Sequence, residues 1–387
     1  MLKADQSGLG IMVPVAAEIK KAVSIPVGAV TYMDPARDPE FFESLIASGE
    51  LDFILMNRPL SVDYDYLHKL EEGRIDEIRP CTRCMHCHWD AADDGNLTFS
   101  CRTNAAHPFR FVTGQLTGSY DPEPVATAKN VVVVGAGPAG LEAARVAAER
   151  GHSVTLYEKK GSVGGLLEFA NNVKGPHENL SVLRSYFERQ MEVLGVNVML
   201  NTEATADIIA EASPDIVIAA TGGVRDTLGL SDTAGTKVVG IDDFMMADIA
   251  EEVVIVGSNV QAIDAAMYLL AQGKHVQVVT PNAASAIGAG HSFWVKTFTQ
   301  PNMKALGVRF WPEATVTAVN DGSVTVKTAT GIEQEIACGT VVEALDCLPN
   351  DNLSTGLSCE VVTVGDAARP FNIGEAICSG NAAARAI

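Results

Sequence analysis

The stretch that most narrows the choice of fold is VVVVGAGPAGLEAARVAAERGHSVTLYE, residues 131–158. Four valines, Val131–Val134, read as a strand buried on both faces, because β-branched runs without polar alternation belong to covered parallel sheets. The run enters Gly135-x-Gly137-x-x-Gly140, then an Ala-rich helical stretch stopped by Gly151, then a second strand ending at Glu158. Gly135 permits the tight turn, Gly137 lets the backbone approach a pyrophosphate, and Gly140 allows close packing of helix on strand. Pro138 and Ala139 open the helix, whose first amides and positive dipole end favour a phosphate group. Glu158 lies 18 residues beyond Gly140, where an acid accepts hydrogen bonds from ribose hydroxyls. Strand, turn, helix and acid in this order predict an adenine-dinucleotide site.

Two other segments bear on that site. Near the C-terminus, VVTVGDAARPFNIGEAICSGNAAARAI delivers Gly365-Asp366 from a strand and starts a helix near Ile373. An acid at a strand end can accept from polyol hydroxyls, which fits the ribityl chain of FAD. The second segment, Val253–Thr280, repeats the first pattern in degraded form. Gly257 survives, but Asn259 and Ala262 occupy the second and third glycine places, and the strand ends at Thr280 rather than an acid. Asn at the second place obstructs close approach of a pyrophosphate. NAD(P) binding and a purely architectural role are both open for this repeat.

Of eight cysteines, four fall within 21 residues as Cys81-x2-Cys84-x2-Cys87-x13-Cys101. Such a compact loop with one returning residue suits a tetrahedral metal or a cubane cluster. Spacing does not separate zinc from iron–sulfur. The flavin-type unit directly downstream tilts the reading to 4Fe-4S, since a redox neighbour gives an electron carrier a purpose. His86 and His88 lie inside the loop and are expected to be solvated neighbours, four thiolates already completing the set. Cys338, Cys347, Cys359 and Cys378 are expected to be small buried apolar residues.

Residues 1–79 contain two strand–helix units. Ile25–Val30 is strand-like, Pro39–Gly49 is an amphipathic helix, and Phe53–Met56 is a second strand followed by a polar helix ending near Gly73. Two parallel strands cannot cover both their faces, so this piece must lean on something else. Arg58, just after a strand, could hold phosphate at the C-terminal rim of a barrel or make a surface ion pair. Charge excludes one class of partner: 28 Lys and Arg against 48 Asp and Glu give −20, which repels nucleic-acid backbones. Neither a secretory leader nor an apolar run of the ~18 residues a membrane span needs is apparent, so a cytoplasmic location away from membranes is expected.

Taken together, IPVGAVTYMDP, LDFILMNRPLSVDYDYLHKLEEGRIDEIRPC, the four cysteines, GAGPAG, Gly164-Gly165, the ATG at Ala220-Thr221-Gly222 and GDAARPFNIGEAICSGNAAA resemble one family. It is the iron–sulfur flavoenzymes of the 2,4-dienoyl-CoA reductase and trimethylamine dehydrogenase type, whose first domain is an old-yellow-enzyme-like barrel. The resemblance implies an α/β chain holding a partial TIM barrel (the last two units), then doubly wound FAD- and NAD(P)-type nucleotide-binding domains. It divides the chain into a barrel piece (1–79), an iron–sulfur connector (80–125), an FAD-binding domain (126–235 and 346–387) and a degraded NAD(P)-type domain (236–345).

The resemblance further implies FAD held by Gly135, Gly137, Pro138, Ala139, Gly140, Glu158, Gly165, Thr221, Gly222, Gly365 and Asp366. It implies a 4Fe-4S cluster on Cys81, Cys84, Cys87 and Cys101. FMN, with Arg58 at its phosphate, is implied once the barrel is completed, for which a partner chain supplying the missing units is a candidate. Thr31 and Asn57 stand where the family has glycine at that phosphate. The implied activity is relay of electrons between FAD, the cluster and a flavin or small-molecule substrate site, in NAD(P)H-dependent reduction of an activated C=C bond. The alternatives are an amine-dehydrogenase-like chain that does not use NAD(P)H, and a non-catalytic fragment or subunit of a split enzyme. No catalytic residue is identified in the sequence.

Overall fold

The computed structural model describes residues 8–87, 90–91, 97–98, 100–107, 114, 118–350, 352–353 and 357–387. Its first part is built of strand–helix units: α1 (Val13–Ala22), β1 (Gly28–Ala29), α2 (Pro39–Ala47), β2 (Phe53–Ile54), α3 (Arg58–Val62) and α4 (Tyr66–Glu71). β1 and β2 pair in parallel, Gly28 opposite Phe53. α2 starts where the Asp38 carboxylate accepts from the Phe41 amide at 2.9 Å, and it gives way to Gly49 at φ +74°. The single polar helix expected before Gly73 is two helices, because Asp63 interrupts it. Its carboxylate accepts from the amides of Asp65 (3.1 Å) and Arg79 (2.8 Å), a local alternative to helical pairing. One side of this part is packed around Leu9, Met33, Phe42 and Leu45. Elsewhere Ile25, Val30, Phe53 and Leu55 are exposed, Ile25 by 67%.

The Gly-rich unit opens the first five-stranded sheet. β3 (Asn130–Val134), α5 (Pro138–Glu149), β4 (Ser153–Tyr157), α6 (Leu167–Lys174), α7 (Leu180–Val193), β5 (Asn197–Met199), α8 (Ala206–Glu211) and β6 (Ile216–Ala219) follow in order. A strand from the far C-terminus, β15 below, completes it. The order is β15-β6-β3-β4-β5, parallel throughout. The order in which strands are added reverses beside β3, the kind of switch point where open α/β sheets take ligands.

The second sheet uses β7 (Lys237–Gly240), β8 (Glu252–Val256), β9 (His275–Val279), β10 (Arg309–Trp311) and β14 (Thr340–Glu343). The helices α9 (Val260–Ala271) and α10 (Phe293–Ala305) belong to this part, and the order is β7-β14-β8-β9-β10. Its other face packs on an antiparallel meander of β11 (Ala314–Asn320), β12 (Ser323–Thr328) and β13 (Glu333–Ala337), through Val254, Val256, Val316 and Val326. The chain then returns to the first sheet with β15 (Glu360–Thr363) and α11 (Ile373–Ala386). Asn372 caps α11 through the Glu375 amide at 3.0 Å.

α5 and α11 cross so closely that a Cβ on Gly380 would lie 2.1 Å from the Ala139 carbonyl oxygen. At the next turn Glu142, fully buried, binds Arg145 (2.9 Å), Asn381 of α11 (2.7 Å) and Arg79 of the connector (3.3 Å). Burial alone would raise this carboxyl, but Arg145 and Arg79 outweigh it and hold it down at about 2. A folded-state value below the ordinary 4.5 contributes stability above that pH, lost as pH falls from 4.5 toward 2. Glu142→Gln therefore costs about 3–5 kcal/mol at pH 7, because it removes the carboxylate paired with the buried Arg79 and leaves the buried Arg145 only Glu149. Urea unfolding of wild type and variant should converge as pH falls below 4; parallel pH curves would contradict the assignment.

Candidate functional site

The C-terminal ends of β3, β4, β6 and β15 meet in one crevice, and they bring the expected dinucleotide residues together. Gly135, at φ +101°, touches the end of β6: a Cβ there would lie 2.3 Å from the Ala220 carbonyl oxygen. Gly140 packs back on the same turn, with a Cβ position 1.9 Å from the Gly135 carbonyl oxygen. Gly137 differs from both. A Cβ on it meets nothing within 4 Å, and no side chain caps the helix start that it forms. The amide end of α5 thus faces open space next to Pro138 and Ala139. Gly165, at φ +54°, lies against Gly137, its Cβ position 3.1 Å from the Gly137 Cα.

Glu158 is buried at the end of β4, and its carboxylate accepts from the Ala136 and Lys160 amides at 2.8 Å each. It is fixed beside the glycine turn, with lone pairs left for hydroxyl donors. Across the crevice, Thr221 donates to the Asn350 carbonyl at 3.1 Å, ahead of Gly222 at φ +77°. Gly365, at φ +62°, abuts Ala139, with a Cβ position 2.7 Å from the Ala139 Cβ. Burial raises the Asp366 carboxyl, which accepts from the Phe371 amide at 3.3 Å.

The four clustered cysteines line one small cavity with Arg58, Val62, Met85 and Arg102. Arg83 and Met85 take left-handed backbone conformations, at φ +56° and +63°, and the Arg83 amide donates to the Cys81 sulfur at 3.4 Å. Burial pushes the Cys81 thiol up to about 12 and the Cys87 thiol to about 11, and it raises Cys84 too. Deprotonating this set requires a strong positive charge in the cavity. Among the described residues, no three His, Cys, Asp or Glu side chains are grouped to hold a single metal ion.

Several surrounding residues depart from expectation. His86 is not solvated but buried, at 5% exposure, whereas His88 lies outside the described residues. Of the C-terminal cysteines only Cys338 is buried; Cys347, at the start of a strand, Cys359, just before β15, and Cys378, within α11, are partly exposed. Arg58 makes no ion pair among the described residues and points Nη1 at the Met85 sulfur, 3.2 Å away, within the cysteine cavity. Other residues that hold the loop carry no motif. Arg102 pairs with Glu178 and donates to Thr82 at 3.0 Å, while Asn179 donates to the Cys81 carbonyl at 2.9 Å. Tyr32, at φ +51° just past β1, donates to Asn179 at 3.0 Å and stacks under Arg83.

The matching turn of the second sheet is closed by its own side chains. Asn259 caps α9 by accepting from the Ala262 amide at 3.0 Å, and its Nδ2 reaches the Ala344 carbonyl (3.1 Å), the Leu345 carbonyl (3.2 Å) and the Asp346 carboxylate (3.1 Å). Asparagine just before an apolar helix is itself an N-cap signal in sequence.

A model of the pyridine nucleotide-disulphide oxidoreductase family matches residues 129–365, which contain both sheets. The chain belongs to the 2,4-dienoyl-CoA reductase and trimethylamine dehydrogenase family, within those oxidoreductases. It is 36% identical to an NADH oxidase of Thermoanaerobacter brockii over 285 residues, 72% of this chain and 42% of the relative. It is 34% identical to a cinnamate reductase of Clostridium sporogenes over 272 residues, 70% of this chain and 39% of the relative. A solved 2-naphthoyl-CoA reductase, in complex with 2-naphthoyl-CoA, superposes on all of this chain with a TM-score of 0.82 and 29% identity. The chain covers 58% of that structure and about two fifths of each of the two relatives. Family members are flavin-dependent oxidoreductases. No helix among the described residues is long and apolar enough to cross a membrane.

The glycine contacts separate two roles. Gly140→Ala must displace the backbone of the Gly135 turn and should lower Tm by several degrees, whereas Gly137→Ala should melt as wild type. Equal melting of the two in a thermal-shift measurement would contradict the packing described.

Proposed function

We propose that the chain is an iron–sulfur flavoprotein oxidoreductase, or the electron-transfer portion of one. FAD would lie in the first crevice, a 4Fe-4S cluster on Cys81, Cys84, Cys87 and Cys101, and electrons would pass between them and a flavin or substrate site at the ends of β1 and β2. The observation that carries the flavin reading is the open, uncapped start of α5 at Gly137, flanked by Glu158 on one side and Gly365-Asp366 on the other. The donor set supports the cluster. Four sulfurs line one small cavity, a donor set that suits zinc or a cubane cluster, and the flavin-type unit directly downstream favours the cluster, because a redox neighbour gives an electron carrier a purpose. Bound there, FAD would supply two-electron exchange and the cluster one-electron exchange.

The chain's own groups have definable tasks in this reading. The α5 amides neutralise a pyrophosphate, Glu158 accepts from ribose hydroxyls, and Asp366 accepts from a polyol. Thr221 and Gly222 form the facing wall. Arg102, pinned by Glu178, brings a positive charge beside the anionic sulfurs. Exposed Ile25, Val30, Phe53 and Leu55 support packing of the β1–β2 part against further β/α units, supplied by a partner chain in one version of this proposal. Completion of that face would let Arg58 serve FMN.

In the reductase reading the chain takes electrons from NAD(P)H and delivers them to an activated C=C bond. A second reading, an amine-dehydrogenase-like chain independent of NAD(P)H, is favoured by one observation, the capped and crowded turn at Asn259. Gly137→Val tests the flavin site. The side chain enters open space, so the variant should melt near wild type yet retain less than about a tenth of its FAD, because it blocks the phosphate approach. Absorbance of released flavin measures this, and undiminished flavin in the variant would refute the site.

A further inference from the structure

The two sheets carry the same strand–turn–helix unit, and they differ at the point where a dinucleotide would touch it. In the first, Gly137 leaves the helix start open. In the second, the corresponding place is Asn259, whose Oδ1 occupies the Ala262 amide and whose Nδ2 ties the turn to Ala344, Leu345 and Asp346. An amide that a phosphate oxygen would claim is therefore satisfied by the chain itself.

Three neighbours reinforce the closure. The segment at 288–289 lies along the turn, the Gly288 amide donating to the Ser258 carbonyl at 2.7 Å and Ala289 bridging to Asn259. The Asp346 carboxylate, 3.1 Å from the Asn259 amide nitrogen, adds negative charge where a pyrophosphate would bring more. Gln261, the second residue of α9, is held by Arg225, whose guanidinium also pairs with Asp242 at 2.7 Å. That guanidinium is thus already committed. Gly257 is retained for a different reason, since a Cβ there would lie 2.0 Å from the Ala344 carbonyl oxygen. Its survival reports packing rather than ligand binding. At the end of β9 the ribose-binding acid is replaced by Thr280, buried and accepting from the Asn282 amide at 3.1 Å.

We propose that the second sheet does not accept a pyridine dinucleotide and that Asn259 is the residue that closes it. The residues present do not fit the nicotinamide cofactor that the family name implies, so the reductant for this chain is an organic substrate or a partner protein rather than NAD(P)H bound at α9. The inference rests on the flavin reading only in treating the first crevice as already assigned, and flavin content measured on the same samples tests that separately.

The test is anaerobic calorimetric titration of NADH and NADPH into the full chain and into Asn259→Gly. Glycine is itself an acceptable helix cap, so the variant should fold, and its melting temperature checks this. Both proteins are also measured with Gly137→Val, which blocks the first crevice and so separates nucleotide taken there from nucleotide taken at α9. The expected result is no saturable binding at α9 in the parent and at least a tenfold gain in affinity in Asn259→Gly. Saturable binding by the parent that persists with Gly137→Val overturns the proposal. A variant that melts as the parent and gains nothing overturns the role of Asn259.

Discussion

The Glu142 carboxylate is the point on which the geometry of this chain turns. It is fully buried on α5, and it joins three parts of the chain distant in sequence: Arg79 before the cysteine loop, Arg145 on its own helix, and Asn381 on the last helix. A buried charge of this kind is costly unless every partner is in place, so it specifies one arrangement rather than adding much net stability. Arg79 also donates to the Thr103 carbonyl, two residues past Cys101. The same helix therefore presents its open N-terminus to the dinucleotide crevice and, one turn later, anchors both ends of the cysteine loop. The spacing of the two candidate redox sites follows from one helix and its carboxylate.

That arrangement explains why glycine is indispensable at some positions and dispensable at others. Gly135, Gly140 and Gly380 are places where backbone meets backbone, with built Cβ positions between 1.9 and 2.3 Å from carbonyl oxygens. Gly137 alone among the motif glycines faces open space, so its constraint comes from what it leaves room for. The second sheet keeps the packing glycine, Gly257, and replaces the open one with Asn259. In the proposed reading one half of the motif is architectural and the other serves binding, and the second sheet carries only the architectural half.

Much of this was legible in the sequence, for identifiable reasons. Valine runs and glycine turns report parallel sheets because their physics is local, and the grouping of Glu158, Gly165 and Gly365 follows from strand ends converging at a switch point. The helix boundaries near Asp63 were not legible, because a carboxylate turning back on backbone amides looks like any polar residue in a helical stretch. Nor was the burial of His86, since the sequence shows neither the left-handed turns at Arg83 and Met85 nor the packing of Arg102 on Glu178. In sequence Arg58 reads as a phosphate ligand or a surface ion pair, yet the structure sets it at the cysteine cavity beside Met85. Long-range partners such as Asn179 for Cys81, 98 residues apart, carry no sequence signal at all.

The pairing proposed for this one chain is a flavin at the open start of α5 and an iron–sulfur cluster at the cysteine loop that Glu142 anchors through Arg79. Its most direct test is the composition of the full chain purified without oxygen, with iron, acid-labile sulfide, zinc and flavin measured on one sample. The expected result is about four iron and four sulfide for each FAD. Stoichiometric zinc without iron, in protein whose flavin content is unaffected, would contradict it.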